Sequence, residues 1–246
     1  MEDLGEDVKL FKFNKILKSF TLPFNILLII TVFIIMLIVG TNTENNKKYV
    51  TSWLLFLTRV KKMEIINKSD YSIEELLKNN VFISNHVSFV DVFVIMNNFP
   101  QLLFLADKDF LHIPVLGKNI KNCSVIVEKN TVNTLKDRLN EDKKLIIFPE
   151  GRCKNQRYLS KFKTGFFVLG KDVVPIYLEY SKDISWISKK QNIFLHMISL
   201  TLLDKNEVKI VFGNPIKYDK NTEKMMGNVY EEYLRISDRK LILEKN

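Results

Sequence analysis

Lys144-Leu145-Ile146-Ile147-Phe148-Pro149-Glu150-Gly151-Arg152 is the stretch that decides the fold. A short, unbroken apolar run that stops at a proline has the pattern of a strand buried on both faces, as in a parallel sheet covered by helices. Working outward, Val81-Phe82-Ile83, Leu102–Ala106, Ser124–Val127, Val173–Leu178 and Val208–Phe212 read as further strands. Val90–Met96, Thr131–Leu139, Phe162–Leu169, Ile193–Leu203 and residues 222–235 read as helices between and after them. Strands alternate with helices, so the predicted fold is α/β: a layered domain with a mainly parallel central sheet and flanking helices.

The amino-terminal part follows another pattern. Ser19 to Thr43 carries no charge, and Phe24 to Val39 is almost wholly Ile, Leu, Val, Phe and Met. A bilayer core takes roughly 20 apolar residues as a helix. Lys9, Lys12, Lys15 and Lys18 precede the run, alternating with Leu10, Phe11, Phe13, Ile16 and Leu17, the pattern of a basic amphipathic helix on an anionic membrane face. A cleaved signal peptide is the competing reading, but the run is long for one and no Ala-x-Ala site follows. Tyr49 to Val60, with Trp53-Leu54-Leu55-Phe56 and then Arg59, Lys61 and Lys62, either returns the chain to the same face or lies in the interface. Residues 1–62 are thus expected to be membrane-anchoring helices and residues 63–246 the folded domain. The basic flank favours a cytosolic N-terminus, and the folded domain is expected to face the cytosol.

The 246 residues suit one such domain, and 46% hydrophobic content is enough for a core. A net charge of +9 suits an anionic partner, whether nucleic acid, acidic lipid or a phosphorylated small molecule. Charge does not choose among these. Cys123 and Cys153 form no Cys-x-x-Cys pair and no histidine stands at ligand spacing, which leaves no support for a disulfide framework or a metal site.

Two clusters carry chemistry. Asn85-His86-Val87-Ser88-Phe89-Val90-Asp91 lies between a strand and a helix. Five residues along a continuous helix turn through roughly 500°, so His86 and Asp91 meet only if His86 is in the loop and Asp91 in the first turn. A carboxylate on one imidazole nitrogen then leaves the other as a base. Ser88-x-x-Asp91 is equally a capping-box pattern, which needs no catalysis. The second cluster, Phe148-Pro149-Glu150-Gly151-Arg152, stands where parallel sheets place ligands, and Arg152, Lys154, Arg157, Lys161 and Lys163 follow without an acid. If Ile83 and Phe148 end neighbouring strands, His86 and Glu150 face one cleft. His112 and His196 sit in apolar runs and read as structural.

Asn-His-x4-Asp followed in order by Phe-Pro-Glu-Gly resembles the glycerolipid acyltransferase superfamily. Ile126-Val127-Glu128-Lys129, Phe162-Lys163-Thr164-Gly165 and Val174-Pro175-Ile176 fall on intermediate landmarks of that family, and the likeness covers roughly residues 80–180. Glu150-Gly151-Arg152-Cys153-Lys154-Asn155 and Tyr180-Ser181-Lys182-Asp183-Ile184-Ser185-Trp186 are most similar to the lysophosphatidylcholine-type branch. Arg152 stands in place of that branch's threonine, and Lys129 in place of arginine.

The resemblance implies acyl transfer from acyl-CoA, as co-substrate, to the free hydroxyl of a lysophospholipid of the lysophosphatidic acid or lysophosphatidylcholine type. His86 would be the base and Asp91 its orienter, with Lys129, Glu150, Gly151, Arg152 and Lys163 at the acceptor. It further implies no metal and no other cofactor, and an internal membrane such as the endoplasmic reticulum. Glycerol 3-phosphate is the alternative acceptor, and a catalytically silent, membrane-bound lipid-binding relative the alternative from another class. A serine hydrolase lacks its Gly-x-Ser-x-Gly elbow, and nothing in the sequence has the pattern of a nucleic-acid module.

Overall fold

The computed structural model describes residues 15–112, 115–127, 131–186, 193–203 and 205–243. In chain order the elements are α1 (Lys15–Val39), α2 (Glu44–Leu57), β1 (Val60–Asn67), α3 (Ile73–Leu76), β2 (Val81–Ser84), α4 (Val90–Asn98), β3 (Leu102–Asp107) and α5 (Leu116–Lys121). There follow β4 (Ser124–Val127), α6 (Thr131–Asn140), β5 (Lys144–Ile147), β6 (Tyr158–Leu159), β7 (Val174–Tyr180), α7 (Ile193–Thr201), β8 (Asn206–Phe212), α8 (Thr222–Ile236) and β9 (Ile242–Leu243).

Seven strands form one sheet in the order β1-β8-β7-β2-β5-β3-β4. Every neighbour pair in it is parallel except β7 with β8. Successive side chains of a strand point to opposite faces, and both faces are covered. Phe82, Ile146, Ile176 and Phe212 pack with Val90, Val94 and Ile95 of α4. Val81, Ile83, Leu145, Ile147 and Tyr177 pack with Leu135 and Leu139 of α6 and with Val229 and Tyr233 of α8. Burial on both sides is why β2 and β5 are apolar without interruption. Ile83 pairs with Ile147 on one side and with Pro175 on the other, so the loops after β2 and β5 leave the sheet together.

Three expectations change. Phe162–Leu169 is not a helix: only Thr164–Phe166 makes a 3-10 turn, while Phe162, Phe167 and Leu169 each reach the core singly. The second amino-terminal segment is a helix that starts earlier, at Glu44, where the Thr43 side chain caps it by accepting from the Asn46 amide at 3.1 Å. The residues behind it form β1, an edge strand that straddles the boundary placed at residue 62.

Among the described residues, no helix is long and apolar enough to cross a membrane. Helix α1 covers Lys15–Val39. The helix stops at Gly40, which takes φ +66°, and the chain turns back. Val32 and Met36 of α1 are buried against Val50, Leu54 and Leu57 of α2 and Met197 of α7, while Phe24, Leu27 and Ile38 are 67%, 60% and 78% exposed. The Thr41 hydroxyl donates to the Asn119 carbonyl at 2.8 Å, fastening the hairpin to α5.

Candidate active site

Where β2 leaves the sheet, the buried side chain of Asn85 substitutes for a strand. Its amide donates to the Leu178 carbonyl at 3.0 Å, and its oxygen accepts from the Leu178 amide at 2.7 Å. That bidentate grip on β7 fixes the point from which His86 projects. The His86 ring stacks on Phe148, with centroids 4.2 Å apart.

Asp91 sits in the first turn of α4, and His86 Nδ1 lies 2.8 Å from its Oδ2. The same oxygen accepts the Val87 amide at 2.6 Å and the Ser88 amide at 3.0 Å. Oδ1 accepts the Tyr180 hydroxyl at 2.7 Å. Asp91 therefore orients the imidazole and fastens the loop at once, so the two sequence readings of this segment describe parts of one arrangement. Ser88 itself is not the cap, because helix α4 starts after Phe89 without a side-chain capping bond.

A carboxylate with no exposed surface is costly unless its lone pairs are filled, and here four donors fill them. Facing an ionised carboxylate, Nδ1 carries the ring proton and Nε2 is the nitrogen left for chemistry. Burial works against the imidazolium form, while the hydrogen bond and charge of Asp91 work for it. Cys153 Sγ lies 3.2 Å from Nε2, and burial pushes that thiol up, which keeps its proton on sulfur.

Glu150 enters the cleft differently from the sequence reading. Its Oε1 accepts the His86 amide at 3.1 Å and its Oε2 the Ser160 amide at 3.0 Å, so its carboxylate clamps two loops. Burial, acting against those bonds, pushes its carboxyl up to about 7. Glu150 is thus tied to the His86 backbone, but only His86 of the two lines the cavity described below. Gly151 takes φ +65°, and a β-carbon there would lie 2.5 Å from Lys163 Cε and Nζ. Only glycine lets the Lys163 side chain cross the loop so closely. Gly151, Arg152 and Lys163 are all exposed. Lys129 lies outside the described residues.

A cavity of about 170 Å³ has His86 and Phe148 in its wall together with Met36 of α1, Phe93 of α4, Phe104 of β3 and Trp186. Its lining is almost entirely apolar. His112 is exposed and outside this wall. His196 packs edge-on against Phe89, which lines the cavity, so it supports the site from behind. Sequence reading missed Tyr180 as a site residue and treated Cys153 only as a family landmark. Their signal is three-dimensional, because β7 and the loop after β5 flank β2 only once the sheet is ordered. Among the described residues, no cluster of His, Cys, Asp and Glu could hold a metal ion.

The His86–Asp91 pair and the apolar cavity thus lie together where β2 and β5 leave an α/β sheet. Residues 58–179 match the family described as Acyltransferase. A lysophospholipid acyltransferase of Arabidopsis thaliana is 29% identical over 72% of this chain and 52% of its own length. Glycerol-3-phosphate acyltransferase 3 of Mus musculus is 26% identical over 50% of this chain and 31% of its own. The chain thus spans about half or less of the curated relatives it matches. The crystal structure of a 1-acyl-sn-glycerophosphate acyltransferase from Thermotoga maritima shares the fold, with TM-score 0.53, 17% identity and coverage of 76% of this chain and 73% of that one. Residues 58–179 thus match the acyltransferase family, and the similarities together support the glycerolipid acyltransferase superfamily.

Proposed function

We propose that this protein transfers a fatty acyl group from acyl-CoA to the free hydroxyl of a lysophospholipid, of the lysophosphatidic acid or lysophosphatidylcholine type, in phospholipid synthesis or remodelling. The observation that carries this reading is the His86–Asp91 pair at 2.8 Å, in the wall of an apolar cavity. Nε2 of His86 takes the proton of the acceptor hydroxyl as its oxygen attacks the thioester carbonyl. The tetrahedral intermediate collapses, CoA leaves as the thiolate, and the imidazolium returns the proton to it. The apolar cavity receives the acyl chain. Arg152 and Lys163 attract phosphate, and Lys129 is assigned to the same task from the sequence alone. Glu150 acts in this scheme as the clamp between the His86 and Ser160 amides, not as a phosphate ligand.

The likeness to a glycerol-3-phosphate acyltransferase keeps glycerol 3-phosphate as a second candidate acceptor. Access to lipid comes from α1, whose outer face exposes Phe24, Leu27 and Ile38. With the lysines that precede it in sequence, this face embeds the hairpin in a bilayer surface. A cytosol-facing internal membrane such as the endoplasmic reticulum suits two unpaired cysteines.

The test is purified protein with labelled acyl-CoA and a panel of lysophospholipids and glycerol 3-phosphate, beside His86→Ala. Transfer by the wild type to at least one lysophospholipid, lost in His86→Ala, is the expected result. A folded wild type that binds lipid yet acylates no acceptor, at the level of His86→Ala, would mean a silent lipid-binding relative.

A further inference from the structure

Tyr180 is the last residue of β7, and its side chain is completely buried. Its hydroxyl donates to Asp91 Oδ1 at 2.7 Å, whereas every other described hydrogen bond to Asp91 falls on Oδ2. Burial keeps the phenol protonated, well above the ordinary tyrosine range, so it remains a donor wherever the enzyme works. Tyr180 is moreover two residues from Leu178, whose backbone both gives to and takes from Asn85. One strand therefore holds both ends of the catalytic segment: the loop before His86, through Asn85, and the carboxylate behind it, through Tyr180.

We propose that Tyr180 is a positioning residue of the His86–Asp91 dyad, acting through Asp91 Oδ1 to orient the carboxylate and to limit its pull on the imidazole. The inference rests on the dyad reading above. The positive end of the phenol O–H points at Asp91 and draws negative charge toward Oδ1, away from the histidine. Without it, the carboxylate presents more of its charge to His86, and the ring holds its proton more tightly. A base that keeps its proton at working pH is idle. The titratable groups around His86 are Asp91 of α4, Cys153 and Glu150 of the loop after β5, and Tyr180 behind Asp91. Removing the phenol hydroxyl leaves the other three in place.

Tyr180→Phe in the full chain is the test, because it removes one oxygen and keeps the ring that fills the site. Expected are a fall in kcat on the order of tenfold, KM for both substrates within about twofold of wild type, and an acidic limb of kcat/KM moved up by roughly one pH unit, the scale of an outer-shell hydrogen bond. In an Asp91→Asn background the same substitution should change kcat less than twofold, since its route of action is already cut. His86 is one of three histidines, so its titration can also be followed by NMR without any assay. That midpoint should rise in Tyr180→Phe. An unchanged His86 midpoint and pH profile in a variant that melts like the wild type would overturn the proposal. So would a full loss in the Asp91→Asn background. A wild type that transfers no acyl group would overturn the functional reading instead, and leaves the NMR arm to decide Tyr180.

Discussion

Cys153 Sγ lies 3.2 Å from His86 Nε2, so the nitrogen that accepts the hydroxyl proton already has a neighbour. The other ring nitrogen is taken by Asp91. An acceptor hydroxyl reaches the base only by displacing the thiol. A neutral hydrogen bond of this kind is worth roughly 1 kcal/mol net, a factor of about five in affinity. Cys153→Ala is expected to lower the acceptor KM a few-fold, keep kcat within about threefold, and raise the slow hydrolysis of acyl-CoA by water. Steady-state kinetics with and without acceptor would check this. Loss of all transfer would instead make the sulfur a participant in the chemistry.

Asp91→Asn keeps the shape of the carboxylate but brings an amide N–H against either the one donor at Oδ1 or the three at Oδ2. The rate is expected to drop by about 10² or more, because the imidazole loses its orienting charge. Stability is expected to fall by about 1–3 kcal/mol from unsatisfied buried groups. Single-turnover rates together with urea melts separate the two effects. A rate drop with KM for acyl-CoA unchanged places the loss in the chemical step.

Glu150 gives the folded protein a pH dependence of definite sign. Its carboxyl is pushed up to about 7 from an ordinary value of 4.5. Below the lower value both folded and unfolded chains hold the proton, and this contribution is fully present. Between the two values the unfolded chain has lost it and the folded chain has not, so stability falls as pH rises and levels off above the folded value. The size is on the order of 3 kcal/mol. Urea melts between pH 4.5 and 8 should show the decline in the wild type and not in Glu150→Gln. Parallel curves for the two proteins would assign the titration elsewhere.

Leu27 and Ile38 are mostly exposed on α1, so charging them costs the fold little. Full burial of such a side chain is worth roughly 1.5–3 kcal/mol. Leu27→Asp with Ile38→Asp is expected to weaken binding to anionic vesicles by tenfold or more while leaving the melting temperature near that of the wild type. Co-sedimentation in low and high salt measures it. Wild-type protein that washes off completely in high salt would mean that only charge holds it.

How much could be read from the chain depended on whether the information was local. Leu145–Phe148 and Val81–Ile83 were legible because burial on both faces leaves an apolar run. His86 and Asp91 were legible because a loop and a first helical turn bring them together within one segment. Cys153 and Tyr180 reach the same histidine and carboxylate only through the order β7-β2-β5, which no short pattern encodes. Strand β1 was hidden because Lys61, Lys62 and Glu64 on its exposed edge break the apolar signal. Phe162, Phe167 and Leu169 carry helix-like spacing but are recruited one by one against α8 and the sheet. Glu150 was assigned to the acceptor because nothing in sequence tells whether a carboxylate faces a ligand or a backbone amide.

Among the described residues, strand β1 finds its only strand partner in β8, with Val60 beside Asn206 and Asn67 beside Phe212. During synthesis the helical hairpin and β1 leave the ribosome long before β8 does. Until residues 206–212 emerge, β1 is an unpaired edge next to an apolar hairpin, open to pairing with any other nascent chain. Its exposed charged side chains, Lys61, Lys62 and Glu64, discourage such encounters during that wait. A premature stop anywhere before β8 would leave the edge permanently open and the product prone to aggregate, even with His86, Asp91 and Glu150 all present.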